Sequence, residues 1–550
     1  MKALETVAIA TCGACLFGVT AFAETLVGLN GSWAFRFEEG HPLAEVANKD
    51  FVATDMMTVP ACFDAMPRYL RKRGTALYRR TFTLKESVAN AKLVIDGMGL
   101  TGHFAIDGKD LGTHPYPYAR LELKTGALSA GEHTIFAALD NRFDWETQKL
   151  ARPYYDFYCY GGFYHGVRIE SDEPRIFVRT RDYRTGLVEI EVEGEGRRLV
   201  NVPDFKLWSP DEPNLTTIDV DGRKIRFGIR EIKAEKGLLY LNGKPLYLKG
   251  VNRHESHPAF GAATPEAVML ADIQNLKALG GNFIRGAHYQ QAQRFLDLCD
   301  EHGVLVWEES LGWGNGSHSD MAAYELTNEV FRAQQIHQTR EMVRASFNHP
   351  SVIIFAFMNE FLSGCEAGKS LADDLIRTIR AEDSGRLVTF ACSHVEDDVS
   401  NENTDLVAFN TYPGWFGSEP GSPAELRTRI REKVDRIVTR FRSRYPVKPI
   451  IVSEMGTCGV YGHRDPSAAQ WTEEFQAEYL DAVIDAVFAN REVCGLTLWQ
   501  FADAASYYRD GASVRGKPFA ENLAGLFDGY RRPKLAVRVV AEKFMCPPCD

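Results

Sequence analysis

Eight apolar runs, each ending in polar residues, follow one another after residue 237, and most are separated by a stretch of helical length and pattern. Strands that alternate with helices in this way form parallel sheets, because each helix carries the chain back across the sheet. Eight such units in about 310 residues match the size of a (β/α)8 barrel. We therefore predict a TIM barrel over 237–550. Its candidate strands are YLKGVN, NFIRGAH, GVLVWEES, VIIFAFMNE, LVTFAC, LVAFNTY, IIVSEMG and LTLWQFAD.

Two β-rich regions come before the barrel. Short alternating runs over 24–172, such as WAFRF and HTIFAALDN, are separated by Gly, Asp and Asn and predict a jelly-roll-like, antiparallel β-sandwich. A shorter series over 173–236, including RIFVRTRDY and LVEIEVEG, predicts an immunoglobulin-like β domain. This second domain should lack some strands, because a full immunoglobulin sandwich needs about 100 residues.

The charge balance argues against a nucleic-acid partner. The 550 residues include 63 basic and 74 acidic side chains, which gives a net charge of −11. No basic block is present that could neutralise a row of phosphates. Aromatic residues make up 11% of the chain, and their flat faces and polar tips suit a carbohydrate partner as well as a core.

The first 23 residues have the pattern of an export signal. Lys2 precedes an apolar run over 7–22, and a small-x-small sequence at 21–23 predicts cleavage before Glu24. The run is shorter than the roughly 20 residues that span a membrane, so we expect a secreted or periplasmic protein without a membrane anchor. Cleavage leaves an odd number of cysteines, so at least one stays free. Cys546 and Cys549 have redox-motif spacing but no βαβ context, and we interpret them as a frayed tail.

Two glutamates at strand ends are the candidate catalytic pair. Glu360 ends the fourth barrel run and Glu454 ends the seventh, and side chains at the ends of barrel strands meet at one mouth. Glycoside hydrolysis needs two carboxyl groups, of which one donates a proton and the other attacks the anomeric carbon or activates water. The apolar run before Glu360 should raise its pKa and suit it to the acid/base role. Glu454 would then be the nucleophile.

Neighbouring strand ends supply polar groups for the same mouth. Arg285 and Tyr412 could donate hydrogen bonds to Glu454 and keep it ionised. Asn359 could bind the sugar hydroxyl beside the reacting carbon, where such contacts strengthen in the transition state. His254 and His257 are spaced H-x-x-H, which does not fit a helical H-E-x-x-H site, and we expect no metal or other cofactor there.

Four motifs resemble family 2 of the glycoside hydrolases, the group of β-galactosidases, β-glucuronidases and β-mannosidases. The resemblance implies the three-domain order already described, retention of configuration, and carboxylates about 5–5.5 Å apart. It also implies that Glu360 is the acid/base and Glu454 the nucleophile. The motifs are GVNRHESHP at 250–258, NFIRGAHYQQAQRFLDLCDEHGVLVWEE at 282–309, FNHPSVIIFAFMNE at 347–360 and IIVSEMG at 450–456.

The same resemblance implies further substrate-binding residues. Asp156, in the first domain, is similar to an aspartate that reaches the barrel and contacts sugar hydroxyls. The remaining positions that match the sugar subsite are His288, Asn410, Tyr412, Trp499 and Asn522.

The chain departs from the family pattern at four places. Phe355 stands where the family usually has Trp, and Gln290 where it usually has Pro. Ala524 stands where glucuronidases carry the lysine of an Asn-x-Lys motif that pairs with the sugar carboxylate. Without a cation a buried uronate would be unpaired, although Lys517 or Arg515 could substitute. The third strand also lacks the histidine that helps hold magnesium in large β-galactosidases, so no metal is inferred.

These observations favour an exo-acting retaining β-glycosidase that removes terminal sugars, with a β-galactoside as the first expectation. The alternative substrate is a uronide, cleaved by a β-glucuronidase or β-galacturonidase. An alternative of another class is a catalytically inactive carbohydrate-binding protein, since a fold does not certify an activity. Retention of both Glu360 and Glu454 argues against it. A homo-oligomer is possible.

Overall fold

The computed structural model describes residues 24–40, 43, 51–149, 156–318, 321–415, 422–507 and 517–546. The predicted signal peptide, Arg515 and Cys549 lie outside the described residues. None of the described helices is long and apolar enough to cross a membrane. The free cysteines among the described residues include the buried Cys299 and Cys494.

The C-terminal half forms the predicted TIM barrel. One sheet of nine parallel strand segments runs from Leu387–Thr389 at one end to Ala391–Cys392 at the other. Only Phe390 separates these two end segments, so together they act as the fifth strand and bring the ends of the sheet together. The other seven strands, in chain order, are Leu248–Arg253, Phe283–Gly286, Leu305–Trp313, Val352–Asn359, Val407–Asn410, Ile450–Met455 and Val493–Leu498. All eight predicted strands are confirmed.

The barrel strands are buried on both faces, as expected when helices cover a parallel sheet. Every residue of Val352–Asn359 is buried. Helix Glu266–Ala278 follows the first strand and has Pro265 as its N-cap. The fifth strand is followed by the 3-10 turn Ser400–Asn403 in place of a helix. The other barrel helices are Gln293–His302, Ala323–Thr327, Glu329–Ala345, Glu366–Glu382, Pro423–Arg444, Glu473–Phe488 and Ala536–Met545.

A small sheet closes the floor of the barrel. Its strands Ile232–Glu235, Leu238–Leu241 and Lys244–Leu246 pair antiparallel. Leu239 and Leu241 share an apolar cluster with Leu248 and Leu305, which begin the first and third barrel strands. The beginnings of these strands are therefore covered, which leaves the opposite end, where the strands terminate, as the place for a ligand.

The first β region is a two-sheet sandwich, as predicted. Its apolar core lies between the sheets and includes Trp33, Phe35, Tyr78 and Phe104, all buried. The four-stranded sheet contains Thr25–Gly28, Val167–Ser171, Val88–Ile95 and Leu121–Leu128, and the six-stranded sheet contains Asp55–Val59, Gly31–Glu38, Thr75–Leu84, Gly131–Asp140, Thr101–Ile106 and Lys109–His114. A short pair, Ala61–Cys62 and Gly162–Phe163, lies beside them, and Trp145–Gln148 forms one helical turn.

The second β region contains five described strands around its own apolar core. They are Ile176–Asp182, Leu187–Val192, Gly196–Asn201, Thr216–Val220 and Arg223–Phe227. The domain boundaries at 172 and 236 stay predictions.

One segment of the sandwich, around Phe157, extends to the open end of the barrel. Phe157 packs against Tyr289, with ring centroids 5.1 Å apart, and Tyr118 stacks on the same Tyr289 ring at 3.8 Å. Tyr158 donates its backbone N–H to Ala505, beyond the eighth strand. The first β region therefore forms part of the wall around the barrel mouth.

Candidate active site

The polar residues at the ends of the barrel strands lie together at the open end of the barrel. Asn359 and Asn410 are the last residues of the fourth and sixth strands, and Glu454 lies one residue before the end of the seventh. Arg285 lies one residue before the end of the second strand. Parallel strands end on the same side of a sheet, so these residues from distant parts of the chain meet there.

Glu454 is buried and is held by two donors. Arg285 Nη1 donates to Oε1 and the Tyr412 hydroxyl donates to Oε2. His288 Nε2 lies 3.9 Å from Oε1. Each carboxylate oxygen therefore has a charged or hydroxyl donor, which is the environment that the nucleophile role requires.

Glu360 follows directly after the fourth strand and also has a partner on each oxygen. Asn410 Nδ2 donates to Oε1 at 2.8 Å, and His318 Nε2 lies 3.5 Å from Oε2. Its backbone φ is +53°, in the left-handed region that non-glycine residues seldom adopt. Such strain persists where surrounding contacts enforce it, and it is concentrated at functional sites.

Arg285 is the centre of a buried network. Its guanidinium donates to Glu309 at 2.9 Å, to Asn252 Oδ1 at 2.9 Å and to Asn359 Oδ1 at 2.9 Å, in addition to Glu454. Arg285, Glu309 and Asn252 have no solvent exposure. A buried guanidinium needs such a set of acceptors, and in return it fixes the positions of the acceptors around it.

The two candidate catalytic carboxylates belong to the same network. Arg285 joins Glu454 to Asn359, and Asn410 joins Asn359 Oδ1, at 3.0 Å, to Glu360. Glu360 and Glu454 are therefore connected through three side chains, all at the barrel mouth. This arrangement is the one expected for a pair of carboxyl groups that act on one substrate.

The electrostatics differ from the sequence-based expectation. Burial raises the pKa of Glu360, but hydrogen bonds from His318 and Asn410 outweigh burial, and the pKa lies below its usual value. Burial and the Glu360 charge raise the pKa of Glu454 to about 8, although Arg285 and Tyr412 oppose them. The expected order of the two pKa values was therefore wrong for the free protein, because the apolar strand contributes less to the Glu360 site than the polar loops around it. Two such carboxyls titrate as a pair, which carries one proton between them near neutral pH.

Two buried polar atoms in this network lack a hydrogen-bond partner among the described residues. They are Asn359 Nδ2 and His288 Nε2. A buried polar atom without a partner costs about 1–3 kcal/mol, and native structures keep few of them. Sugar hydroxyls would satisfy both atoms, which supports the predicted substrate-binding role of Asn359 and His288.

The remaining predicted residues line the same mouth at different depths. Trp499 is buried, and its ring stacks on His288 with centroids 5.4 Å apart. Asn522 is buried too, but its Oδ1 accepts from the backbone of Ala524, in its own loop. Ala524 has no exposure and packs among Trp415, Trp499 and other apolar side chains.

Asp156 lies next to Phe157, whose ring is 5.8 Å from His288, and it forms an ion pair with Lys517 Nζ. Lys517 is only 8% exposed. Burial lowers the pKa of Lys517 to about 7, whereas the Asp156 carboxylate favours the charged form. A buried lysine therefore lies beside the segment that packs on His288, although it does not come from position 524.

Sequence reasoning missed three residues of the site. Glu309 anchors both Arg285 and His288, and Asn252 accepts from Arg285. The signal for both was available, since each is a polar residue near the end of an apolar run in the sequence. His318 has no such signal, because it lies in an irregular turn rich in glycine.

One group of described residues has the geometry of a metal site. Ligand atoms of Asp297, Asp300 and His349 lie within 4.8 Å of one another, away from the barrel mouth. Arg226 pairs with Asp297, and His349 Nδ1 is 2.6 Å from Asp300. The charges in this group already compensate one another, as in a structural ion-pair cluster.

Comparison with known proteins gives a consistent result. The family model described as glycosyl hydrolases family 2, TIM barrel domain, matches residues 232–545. A β-glucuronidase of Streptococcus agalactiae is 24% identical over 593 residues, covering 94% of this chain and 96% of the relative. A β-glucuronidase of Pongo abelii is 29% identical over 445 residues, covering 72% and 65%.

Solved structures agree over almost the whole chain. The GH2 β-galacturonidase of Eisenbergiella tayi bound to galacturonate has a TM-score of 0.82 at 28% identity, covering 96% of this chain and 98% of that one. A β-glucuronidase from an uncultured Clostridium species has a TM-score of 0.85 at 24% identity, covering 96% and 99%. The β-galactoside expected from the sequence finds no support among these relatives, which act on uronides according to their names.

Proposed function

Because the chain belongs to glycosyl hydrolase family 2 and is a glycoside hydrolase, we propose that it is an exo-acting, retaining β-uronidase that removes a terminal galacturonate or glucuronate. The relatives at 24–29% identity support a uronide. The observation that carries the proposal is the buried Lys517 side chain in contact with Asp156.

The case for a neutral sugar depended on the absence of a cation at position 524. Lys517 removes that objection, because its Nζ is buried at the barrel mouth next to the segment that packs on His288. A uronate carboxylate would pair with this ammonium, since a buried carboxylate needs a charged partner. Asp156 would then accept a hydrogen bond from a sugar hydroxyl.

The reaction follows from the two carboxyl groups. Glu454 attacks the anomeric carbon while Glu360 gives its proton to the glycosidic oxygen, so the bond to the aglycone breaks and a glycosyl ester of Glu454 forms. Glu360 then takes a proton from water, the water oxygen bonds to the anomeric carbon, and Glu454 leaves as a carboxylate. Near neutral pH the two carboxyl groups hold one proton between them. The first step needs one proton, because one carboxyl donates it while the other attacks as a carboxylate.

Arg285 and Tyr412 suit this sequence of events. Both donate to Glu454, and these hydrogen bonds strengthen as its negative charge returns when the ester breaks. Asn359 offers its unpaired Nδ2 to the hydroxyl beside the reacting carbon, where a hydrogen bond stabilises the transition state.

The test is a panel of nitrophenyl β-glycosides: galacturonide, glucuronide, galactoside, glucoside and mannoside. We expect kcat/KM to be highest for one of the uronides. Lys517→Met should lower kcat/KM for the uronide by about 10- to 100-fold, as loss of a charge-assisted partner does, and should change that for the galactoside much less. Lys85→Met, at an exposed lysine of the sandwich, is the matched control.

A galactoside that is cleaved faster than both uronides would contradict the proposal. A Lys517→Met protein with an unchanged ratio of uronide to galactoside activity would remove Lys517 from the sugar site. If no glycoside is cleaved by the wild type, the inactive carbohydrate-binding alternative gains support.

A further inference from the structure

The turn after the third barrel strand places an imidazole against Glu360. His318 Nε2 lies 3.5 Å from Glu360 Oε2, while Asn410 occupies the other oxygen. The His318 ring stacks on Trp313, with centroids 5.0 Å apart and planes 20° from parallel. The His318 side chain is 46% exposed, so it covers Glu360 on the side that faces solvent.

This turn is attached to the backbone around Glu360. Gly314 donates its N–H to the carbonyl of Asn359 at 2.7 Å, and the Ser317 hydroxyl donates to the carbonyl of Glu360 itself. The buried Glu325 accepts from the Asn315 side chain at 2.6 Å and from the Gly316 N–H at 2.9 Å. The turn is therefore fixed on both sides, and the position of His318 relative to Glu360 is set by several contacts.

Glycine is needed at position 314 for this geometry. Gly314 has φ +63°, and a Cβ added there would lie 2.7 Å from the Cβ of His318 and 2.8 Å from its ring. Only glycine has no such conflict in this backbone conformation. The turn therefore leaves space at position 314 for the imidazole.

We propose that His318 is a positioning residue for Glu360, which orients the acid/base carboxyl toward the leaving-group oxygen and favours its ionised form. The inference rests on the proposed retaining mechanism and on Glu360 as its acid/base, but not on the identity of the sugar. His318 transfers no proton to substrate. It holds Glu360 in place when the carboxylate, after the first step, must receive a proton from water.

The pH consequence depends on every charged or titratable group near Glu360. His318 comes from the turn after strand three, His288 from the end of strand two, Glu454 from strand seven, and Tyr412 and Cys392 from the sixth and fifth strand ends. Removing the hydrogen bond from His318 destabilises the ionised form of Glu360, so its pKa rises. Because Glu360 has the lower pKa of the two carboxyls, the acidic limb of kcat/KM should then move to higher pH.

The experiment compares His318→Ala, His318→Gln and the control His302→Ala. His302 ends a helix just before the third strand begins, on the covered side of the barrel. For the aryl glycoside that the wild type cleaves best, His318→Ala should move the acidic limb upward by about half a unit to one unit. It should slow a phenyl glycoside several-fold more than a dinitrophenyl glycoside, whose aglycone leaves without proton donation. Gln should restore part of both effects, because its amide can donate to Oε2.

A second measurement does not need activity. In protein labelled with ¹³C at glutamate carboxyls, the signal that disappears in Glu360→Gln should titrate at higher pH in His318→Ala than in the wild type. Superposed pH profiles and equal leaving-group dependence in His318→Ala and wild type would overturn the proposal, as would an unchanged titration of Glu360. If the enzyme cleaves only neutral sugars, the uronide proposal fails while the His318 test proceeds with that substrate. If Glu360→Gln keeps wild-type activity, both the mechanism and the role of His318 fail.

Discussion

Asn410 Nδ2 donates at 2.8 Å to Glu360 Oε1 and at 3.0 Å to Asn359 Oδ1, so one amide at the end of the sixth strand aligns two residues at the end of the fourth. Ser453 in turn donates to Asn410 Oδ1 at 2.7 Å, which fixes which end of the amide faces Glu360. The orientation of the acid/base candidate therefore depends on contacts between strands that are not neighbours in the sheet.

Asn410→Ala should lower kcat/KM by about 10- to 100-fold, because it removes a hydrogen bond of about 1.5–3 kcal/mol to a charged group. It should also raise the pKa of Glu360 and move the acidic limb upward. A pH–rate profile on an aryl glycoside measures both effects. Asn403→Ala, in the 3-10 turn before the same strand, is the control. A lower rate with an unmoved acidic limb would mean that Asn410 acts on the sugar alone.

Tyr412→Phe removes the hydroxyl donor to Glu454. The pKa of Glu454 should rise above its already raised value, since the ionised form loses a hydrogen bond. The alkaline limb of kcat/KM should then move to higher pH, and kcat should fall by about 10- to 100-fold. Stopped-flow measurement with a dinitrophenyl glycoside should show a burst, because hydrolysis of the ester on Glu454 becomes slower than its formation. A variant with the wild-type alkaline limb would contradict the assignment of Tyr412.

Arg285→Met should destabilise the barrel by about 3–5 kcal/mol, because it leaves Glu309 and Glu454 buried without their cation. The double variant Arg285→Met with Glu309→Gln should recover part of this loss, since one of the two uncompensated carboxylates is removed. Denaturant unfolding of the two single variants and the double variant gives the coupling. Additive losses would show that Arg285 and Glu309 stabilise the barrel independently.

Glu308 gives a prediction about stability and pH. Its side chain is buried, and burial raises its pKa to about 7, from a value of 4.5 in the unfolded chain. The folded state therefore binds a proton more tightly, and stability falls as pH rises from about 4.5 to 7. The side chain of Glu308→Gln cannot ionise. Between pH 5 and pH 8 the difference in unfolding free energy between variant and wild type should therefore change in favour of the variant, by up to about 3 kcal/mol. Thermal unfolding at both pH values checks this, and a pH-independent difference would contradict the raised pKa.

The fold was largely predictable because its signals are local. Runs such as VIIFAFMNE are too apolar for a surface and too short for a helix, and the structure places this run as the buried fourth strand. Glu360 and Glu454 could be paired without coordinates, since a barrel brings its strand ends to one place. The strands of the second β region are harder to predict from the sequence, because short alternating runs do not specify how many strands form or which of them pair.

Contacts made by loops could not be predicted in the same way. His318 lies in a turn whose path depends on Glu325, and Lys517 contacts an aspartate from another region of the chain. The pKa of Glu360 was misjudged for the same reason, since it depends on His318 and Asn410 more than on the strand before it. Periodicity identifies strands and helices, but it carries no information about which loop side chain reaches which strand end.

Phe157 is encoded with the N-terminal sandwich, yet its ring covers His288 of the barrel at 5.8 Å. A fragment that begins at residue 232, where the family match starts, would keep both glutamates but would open this flank to water. The catalytic unit is thus not a transferable module, and chimaeras between relatives must exchange the segment around Phe157 together with the barrel that it completes.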